Sequence, residues 1–131
     1  LKKNKLDQKV IFTGFVDYPD LPEFYAKADI VIVPSEIYES FSYTVAQGMA
    51  CGKPVIASKI GGIPETMNHG DAGFLFEPGN VDQLSDNIET LYRDEQLRKR
   101  LGEKARVFIN NYSSLDSLTP KYMDFYKSIL N

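Results

Sequence analysis

The chain has 131 residues, 43% hydrophobic and 12% aromatic, enough apolar material for one core, so a single domain spanning 1–131 is expected. Its net charge of −3, with no dense run of Lys and Arg, argues against nucleic acid or an acidic membrane surface as the main partner. The single cysteine, Cys51, can form no internal disulfide, and no segment approaches the ~18 apolar residues that span a bilayer, so a soluble protein of a reducing compartment is expected.

The opening LKKNKLDQKV runs into a strand pattern without an apolar leader and reads as a cut through a larger protein. KVIFTG predicts a strand ending at Gly14, and DLPEFYAKA a short helix with Pro22 in its first turn, where the missing amide costs little. DIVIVP is apolar at nearly every position, which predicts a strand buried on both faces of a parallel sheet. A helix follows in SFSYTVAQGMACG, then a strand in PVIAS, a Gly-Gly loop, a short helix near IPETMNHG, and a fourth extended piece, GFLFEP. Strand and helix in regular turn define an α/β class, a Rossmann-like parallel sheet with flanking helices. After Pro78-Gly79 the pattern is helical. Val81, Leu84, Ile88 and Leu91 form one stripe, and Leu97, Leu101, Ala105, Phe108 and Ile109 a second; both predict helices covering the sheet. Leu118, Tyr122, Phe125, Tyr126, Ile129 and Leu130 form a third, in which Thr119-Pro120 either starts a helix or kinks one begun near Ser114.

The segment PSEIYESFSYTVAQGMACGKPVIAS raises the question of function. A helix beginning near Ser40 would leave its first amides unpartnered, and its dipole would place partial positive charge just past the carboxyl end of the strand in DIVIVP. Open α/β sheets bind ligands at that edge. Ser40 and Ser42 keep the turn small and polar, which would admit a phosphate to the amides of Phe41, Ser42 and Tyr43. An ordinary capped helix accounts for the same residues. Glu39 and Gln47 are eight residues apart, ~12 Å along a helix axis, within the span of one nucleotide sugar.

The same segment, continued through KIGGIPE, resembles the donor-binding segment of retaining glycosyltransferases of the GT4 type, which have the two-domain GT-B fold. The matching positions are Pro34, Ser35, Glu39, Phe41, Met49, Ala50, Gly52, Pro54, Val55, Gly61, Gly62 and Glu65, and the resemblance extends over nearly the whole chain. It implies a nucleotide-diphosphate sugar as donor substrate, with no resident cofactor and no metal. Glu39 would orient the sugar through its hydroxyls, the backbone of Ser40, Phe41, Ser42 and Tyr43 would meet the diphosphate, Gln47 the ribose, and Gly61 and Gly62 would allow close approach of the donor. Two positions depart from the family pattern: Gln47 replaces a glutamate, so its hydrogen bonds lack charge assistance, and Ser42 replaces a glycine. The resemblance further implies that an N-terminal acceptor domain and the first part of this domain precede residue 1. The acceptor, a glycan or lipid-linked sugar, would bind there, in a cytoplasmic enzyme of polysaccharide or glycolipid synthesis associated peripherally with the inner face of a membrane.

The remaining residues carry less chemistry. His69 is the only histidine and reads as a solvated loop residue, Cys51 as a packing residue, and Lys53 and Lys59 as loop charges. No Asp-x-Asp motif is present. The rival readings are a GT-B-fold sugar-nucleotide epimerase, a degenerate domain that only binds, and a receiver-like α/β domain, which would need an acidic cluster absent here.

Overall fold

The computed structural model describes residues 9–130. A 3-10 turn at Tyr18–Asp20 leads into helix α1 (Leu21–Lys27), with Pro22 in the first turn. Then come β1 (Val31–Val33), α2 (Tyr43–Ala50), β2 (Val55–Ser58), the single-turn helix α3 (Ile63–Thr66), β3 (Phe74–Phe76), α4 (Val81–Arg93), α5 (Glu95–Ser113) and α6 (Leu115–Leu130). The strands form one parallel sheet in the order β1-β2-β3, with Val31 opposite Val55 and Ile56 opposite Phe74. Each crossover between them carries a helix or helical turn, as parallel pairing requires.

Alternation along the strands builds two cores. One face carries Val31, Val33, Val55 and Ala57 and buries them under Val45 and Met49 of α2, Ile63 of α3, and Ala105 and Ile109 of α5. The other sets Ile56 and Phe76 against Leu91 of α4, flanked by Leu84, Ile88, Leu97 and Leu101. The central strand β2 is buried at all four residues because helices cover both its faces. Local chemistry fixes where α4 and α5 begin: the side chains of Asn80 and Asp94 accept from the amides of Gln83 at 3.0 Å and Leu97 at 2.8 Å.

The α/β class is the expected one, but three local expectations, those for KVIFTG, for DIVIVP and for the start of the next helix, are corrected. KVIFTG forms no strand; residues 10–17 are irregular, with Ile11 86% and Phe12 81% exposed. A strand exists only through its partner's hydrogen bonds, and β1 pairs with β2 alone among the described strands. Nor is DIVIVP buried on both faces: α4 packs over β2 and β3, and Ile32 stays 38% exposed. The helix expected to begin near Ser40 begins at Tyr43. The third stripe makes one helix through Pro120, started when Ser114 Oγ accepts from the amide of Ser117 at 3.2 Å, and none of its side chains is buried.

Where α5 crosses the end of α2, Gly102 sets the spacing. A Cβ there would lie 2.1 Å from the carbonyl oxygen of Gly52. Alanine in a helix interior gains up to about 1 kcal/mol over glycine, while overpacking against rigid backbone costs about 1–3 kcal/mol or more. The clash wins, and Gly102→Ala is expected to lower stability in urea unfolding despite its better helix propensity.

Candidate functional site

Three parallel strands put their carboxyl ends along one edge, and the segments leaving that edge are Pro34–Ser42 after β1, Lys59–Gly62 after β2 and Glu77–Asn80 after β3. The first two are locked together. The amide of Gly62 donates to the Glu39 carbonyl at 2.7 Å. A Cβ on Gly61 would lie 2.5 Å from that same oxygen, and one on Gly62 2.1 Å from the carbonyl oxygen of Ser40. Gly61 also has φ +56°, a conformation that disfavours other residues. The two glycines therefore admit the Glu39–Ser40 backbone. The close approach that they make in this structure is to the neighbouring loop.

This clamp aims Glu39. With its backbone held on Gly62, its side chain is fixed by Ser35, whose hydroxyl donates to Oε1 at 2.8 Å. Oε2 stays available to accept from another hydroxyl, as a carboxylate can.

Past the clamp, Ser40 and Phe41 descend outside the helix. Phe41 packs against the core, its ring edge-on to Tyr43 at 5.4 Å, and the chain bends at Ser40 and Phe41 before the first turn begins. Ser42 is the N-cap by position, with φ −91° and ψ 104°, yet its side chain caps nothing. The first helical bond runs from the amide of Ala46 to the Ser42 carbonyl at 3.0 Å, which leaves the amides of Tyr43, Thr44 and Val45 without an intrahelical acceptor. The unpartnered amides expected at Phe41, Ser42 and Tyr43 thus lie about two residues further along the chain. Ser42 is 0% exposed and its hydroxyl has no hydrogen-bond partner; the Ser58 hydroxyl, at the end of β2, is likewise buried and unpaired. Both unpaired hydroxyls lie at the carboxyl edge of the sheet, one at the end of β2 and one at the start of α2.

Gln47 sits one turn beyond Tyr43 and Thr44, on the same outward face of α2. It lines an open groove of about 710 Å³ together with Phe41, Tyr43, Tyr112 and Tyr122. On the side of α1, the hydroxyl of Tyr25 donates to Gln47 Oε1 at 3.1 Å. Burial holds the Tyr25 phenol above its ordinary pKa, with Cys51 adding and a hydrogen bond with Thr44 opposing. It is therefore a neutral donor at physiological pH. Nothing in the sequence marked Tyr25 or Thr44, because the partners lie on different helices; Ser35 carried a weak signal through its place in the matched Pro-Ser pair.

The structure thus brings Glu39, Ser40, Gly61 and Gly62 into one backbone-locked cluster ahead of α2, and Tyr43 and Gln47 onto one face of the helix. Because Glu39 lies outside α2, the ~12 Å helical spacing expected between it and Gln47 does not apply. The other residues are peripheral. Lys53 Nζ donates to the Ala26 carbonyl at 2.8 Å, and Lys59 pairs with Glu77 at 3.4 Å, both exposed enough that water screens them. His69 is exposed in the 3-10 turn Asn68–Gly70, and Cys51 is half-buried at the end of α2. Among the described residues no helix is long and apolar enough to cross a membrane.

A parallel α/β sheet with an uncapped helix N-terminus at its carboxyl edge is an arrangement at which open α/β folds bind anionic ligands. Residues 1–108 match the family of Glycosyl transferases group 1, and the chain belongs to that family. It is 33% identical over 130 residues to N-acetyl-alpha-D-glucosaminyl L-malate synthase of Bacillus anthracis, covering 99% of this chain and 33% of that protein. Among solved structures it resembles Anabaena Alr3699/HepE in complex with UDP, with a TM-score of 0.89 and 30% identity over 97% of this chain and 34% of that one. The UDP-glucose complex of the same protein matches with a TM-score of 0.86. The C-terminal domain of the glycosyl transferase group 1 family protein LpcC from Francisella tularensis matches with a TM-score of 0.71 at 32% identity, covering 92% of this chain and 57% of that one. The fold is accordingly that of a GT-B C-terminal domain, and the chain spans about a third of the length of the synthase and of the Anabaena protein.

Proposed function

We propose that this chain is the donor-binding domain of a retaining glycosyltransferase that moves a sugar from a nucleotide diphosphate to an acceptor hydroxyl. The observation that carries the reading is the join between the Glu39 loop and α2: a carboxylate oriented by Ser35 stands just ahead of three amides with no helical acceptor. The UDP and UDP-glucose bound by the Anabaena relative support the same ligand class.

In this mechanism the amides of Tyr43, Thr44 and Val45 receive the negative charge that grows on the leaving diphosphate. Because they are fixed before the reaction starts, they stabilise that charge without reorganising. Glu39 Oε2 accepts from a sugar hydroxyl and holds the ring for attack, and Gln47 holds the ribose. The acceptor hydroxyl attacks from the leaving-group side, and a phosphate oxygen of the leaving group takes its proton, so no enzymic nucleophile is needed. A glycan or lipid-linked acceptor would be supplied by the N-terminal domain of the whole protein. Polysaccharide or glycolipid assembly at the inner face of a membrane is the setting that fits this chemistry.

Charge stabilisation by amides predicts an unchanged rate when divalent cations are removed. Turnover in excess EDTA should stay within about twofold of the untreated enzyme, against the several kcal/mol that losing a catalytic metal costs. Gln47 and Ser42, which depart from the family pattern, favour one second reading, a domain that binds the donor without turning it over. Calorimetry with UDP-, GDP- and ADP-sugars on the whole protein, followed by a transfer assay, separates the two: binding with turnover supports the enzyme, binding alone the module, and no binding sinks both.

A further inference from the structure

Gln47 stands where the family resemblance expects a glutamate, and the two side chains offer a ligand opposite chemistry. A carboxylate presents acceptors only, whereas a primary amide presents one acceptor oxygen and two N–H donors. In this chain the acceptor is already taken, since the Tyr25 hydroxyl donates to Gln47 Oε1 at 3.1 Å, from α1 across to α2. Tyr25 is itself held in place. Its ring packs partly buried against the core that contains Val45 and Met49. Beside the pair lies a crevice of about 130 Å³ lined by Tyr18, Leu21, Pro22 and Cys51. Turning the Gln47 amide over would take from the phenol proton the one protein acceptor it has among the described residues, beside these mostly apolar walls. With Oε1 engaged, Nε2 makes no hydrogen bond among the described residues and is free to donate along the outward face of α2.

We propose that Tyr25 is a positioning residue that locks the Gln47 amide with its donors toward the ligand. This domain then holds the nucleoside by giving a hydrogen bond to a ribose hydroxyl oxygen, where a glutamate would receive one. The role of Tyr25 rests on the donor-binding reading of α2, which the same experiment checks separately.

The test is calorimetry on the whole protein with UDP and 2′,3′-dideoxy-UDP. The parent is expected to prefer UDP by about five- to tenfold, the value of one well-made hydrogen bond. Tyr25→Phe should weaken UDP binding by about fivefold and dideoxy-UDP binding by less than about twofold, so that the preference collapses. In a Gln47→Ala background, where nothing remains to be positioned, Tyr25→Phe should change neither affinity. A preference that survives Tyr25→Phe overturns the proposal, as does an equal loss for both probes that persists in the Gln47→Ala background, the signature of a merely structural tyrosine. A parent protein that binds none of UDP, GDP or ADP overturns the donor reading itself.

Discussion

Glu39→Ala in the whole enzyme is expected to cut turnover by about 100-fold or more while leaving the affinity for UDP within about threefold of the parent. The size follows from what the carboxylate does. A hydrogen bond to a charged group contributes about 1.5–3 kcal/mol, and each 1.36 kcal/mol lost from the transition state is a tenfold loss in rate. Misplacing the sugar adds to that loss, because reacting atoms must be held close to the attack geometry. The selectivity follows from where the residue is anchored. The Glu39 backbone carbonyl, which accepts from Gly62 at 2.7 Å, survives the substitution, so the loop keeps its course and the amides of α2 keep their exposure. UDP lacks the sugar that Glu39 would hold. Rate and UDP affinity should therefore separate, and Glu39→Ala kinetics near those of the parent would remove the residue from the mechanism.

Gly62→Ala should behave in the opposite way, losing binding and stability together. Its added Cβ would lie 2.1 Å from the Ser40 oxygen and 2.9 Å from the Ser40 carbonyl carbon, both backbone atoms with no rotamer to retreat into. Gly62 has φ −85°, which alanine tolerates, so the damage comes from contact and not from backbone preference. The expected cost is about 1–3 kcal/mol of folding stability by chemical denaturation, as for other overpacked sites. UDP affinity should fall at least tenfold, because the loop pushed off Gly62 is the one that delivers the chain to the first turn of α2. Full UDP affinity at parental stability would mean that the clamp has no part in shaping the site.

These expectations lean on contacts that differ in how visible they are from sequence. The alternation of short apolar strands with helical stripes identified the α/β class and the helices α4 and α5, because those elements are set by local periodicity and by caps such as Asn80 and Asp94. The strand in KVIFTG failed for a reason local pattern cannot contain: Val10 to Phe12 have the propensity, but a strand also needs a neighbour, and pairing is a property of the fold. The apolar stripe of α6 raised a similar difficulty. Its helix is present, yet Tyr122, Phe125 and Ile129 stay exposed, because periodicity predicts a face to be covered without supplying the cover.

The candidate site was partly legible for the same physical reasons. Glu39, the Gly-Gly pair and Gln47 could be singled out because they stand at positions of the family pattern, three as matches and Gln47 as a departure. What could not be read was who meets whom. The contact of Gly62 with Ser40 spans 22 positions, as does the bond from Tyr25 to Gln47, and each brings together segments on different elements. The start of α2 was misread by about three residues because Ser40 and Ser42 both look like caps, and only the glycine contact shows that Ser40 is held outside the helix.

The most direct measurement is a crystal structure of the whole protein with UDP bound. The account predicts diphosphate oxygens within about 3 Å of the amide nitrogens of Tyr43, Thr44 or Val45, with the ribose lying toward Gln47. A diphosphate held elsewhere by side chains, with the first turn of α2 facing only solvent or packed protein, would contradict it.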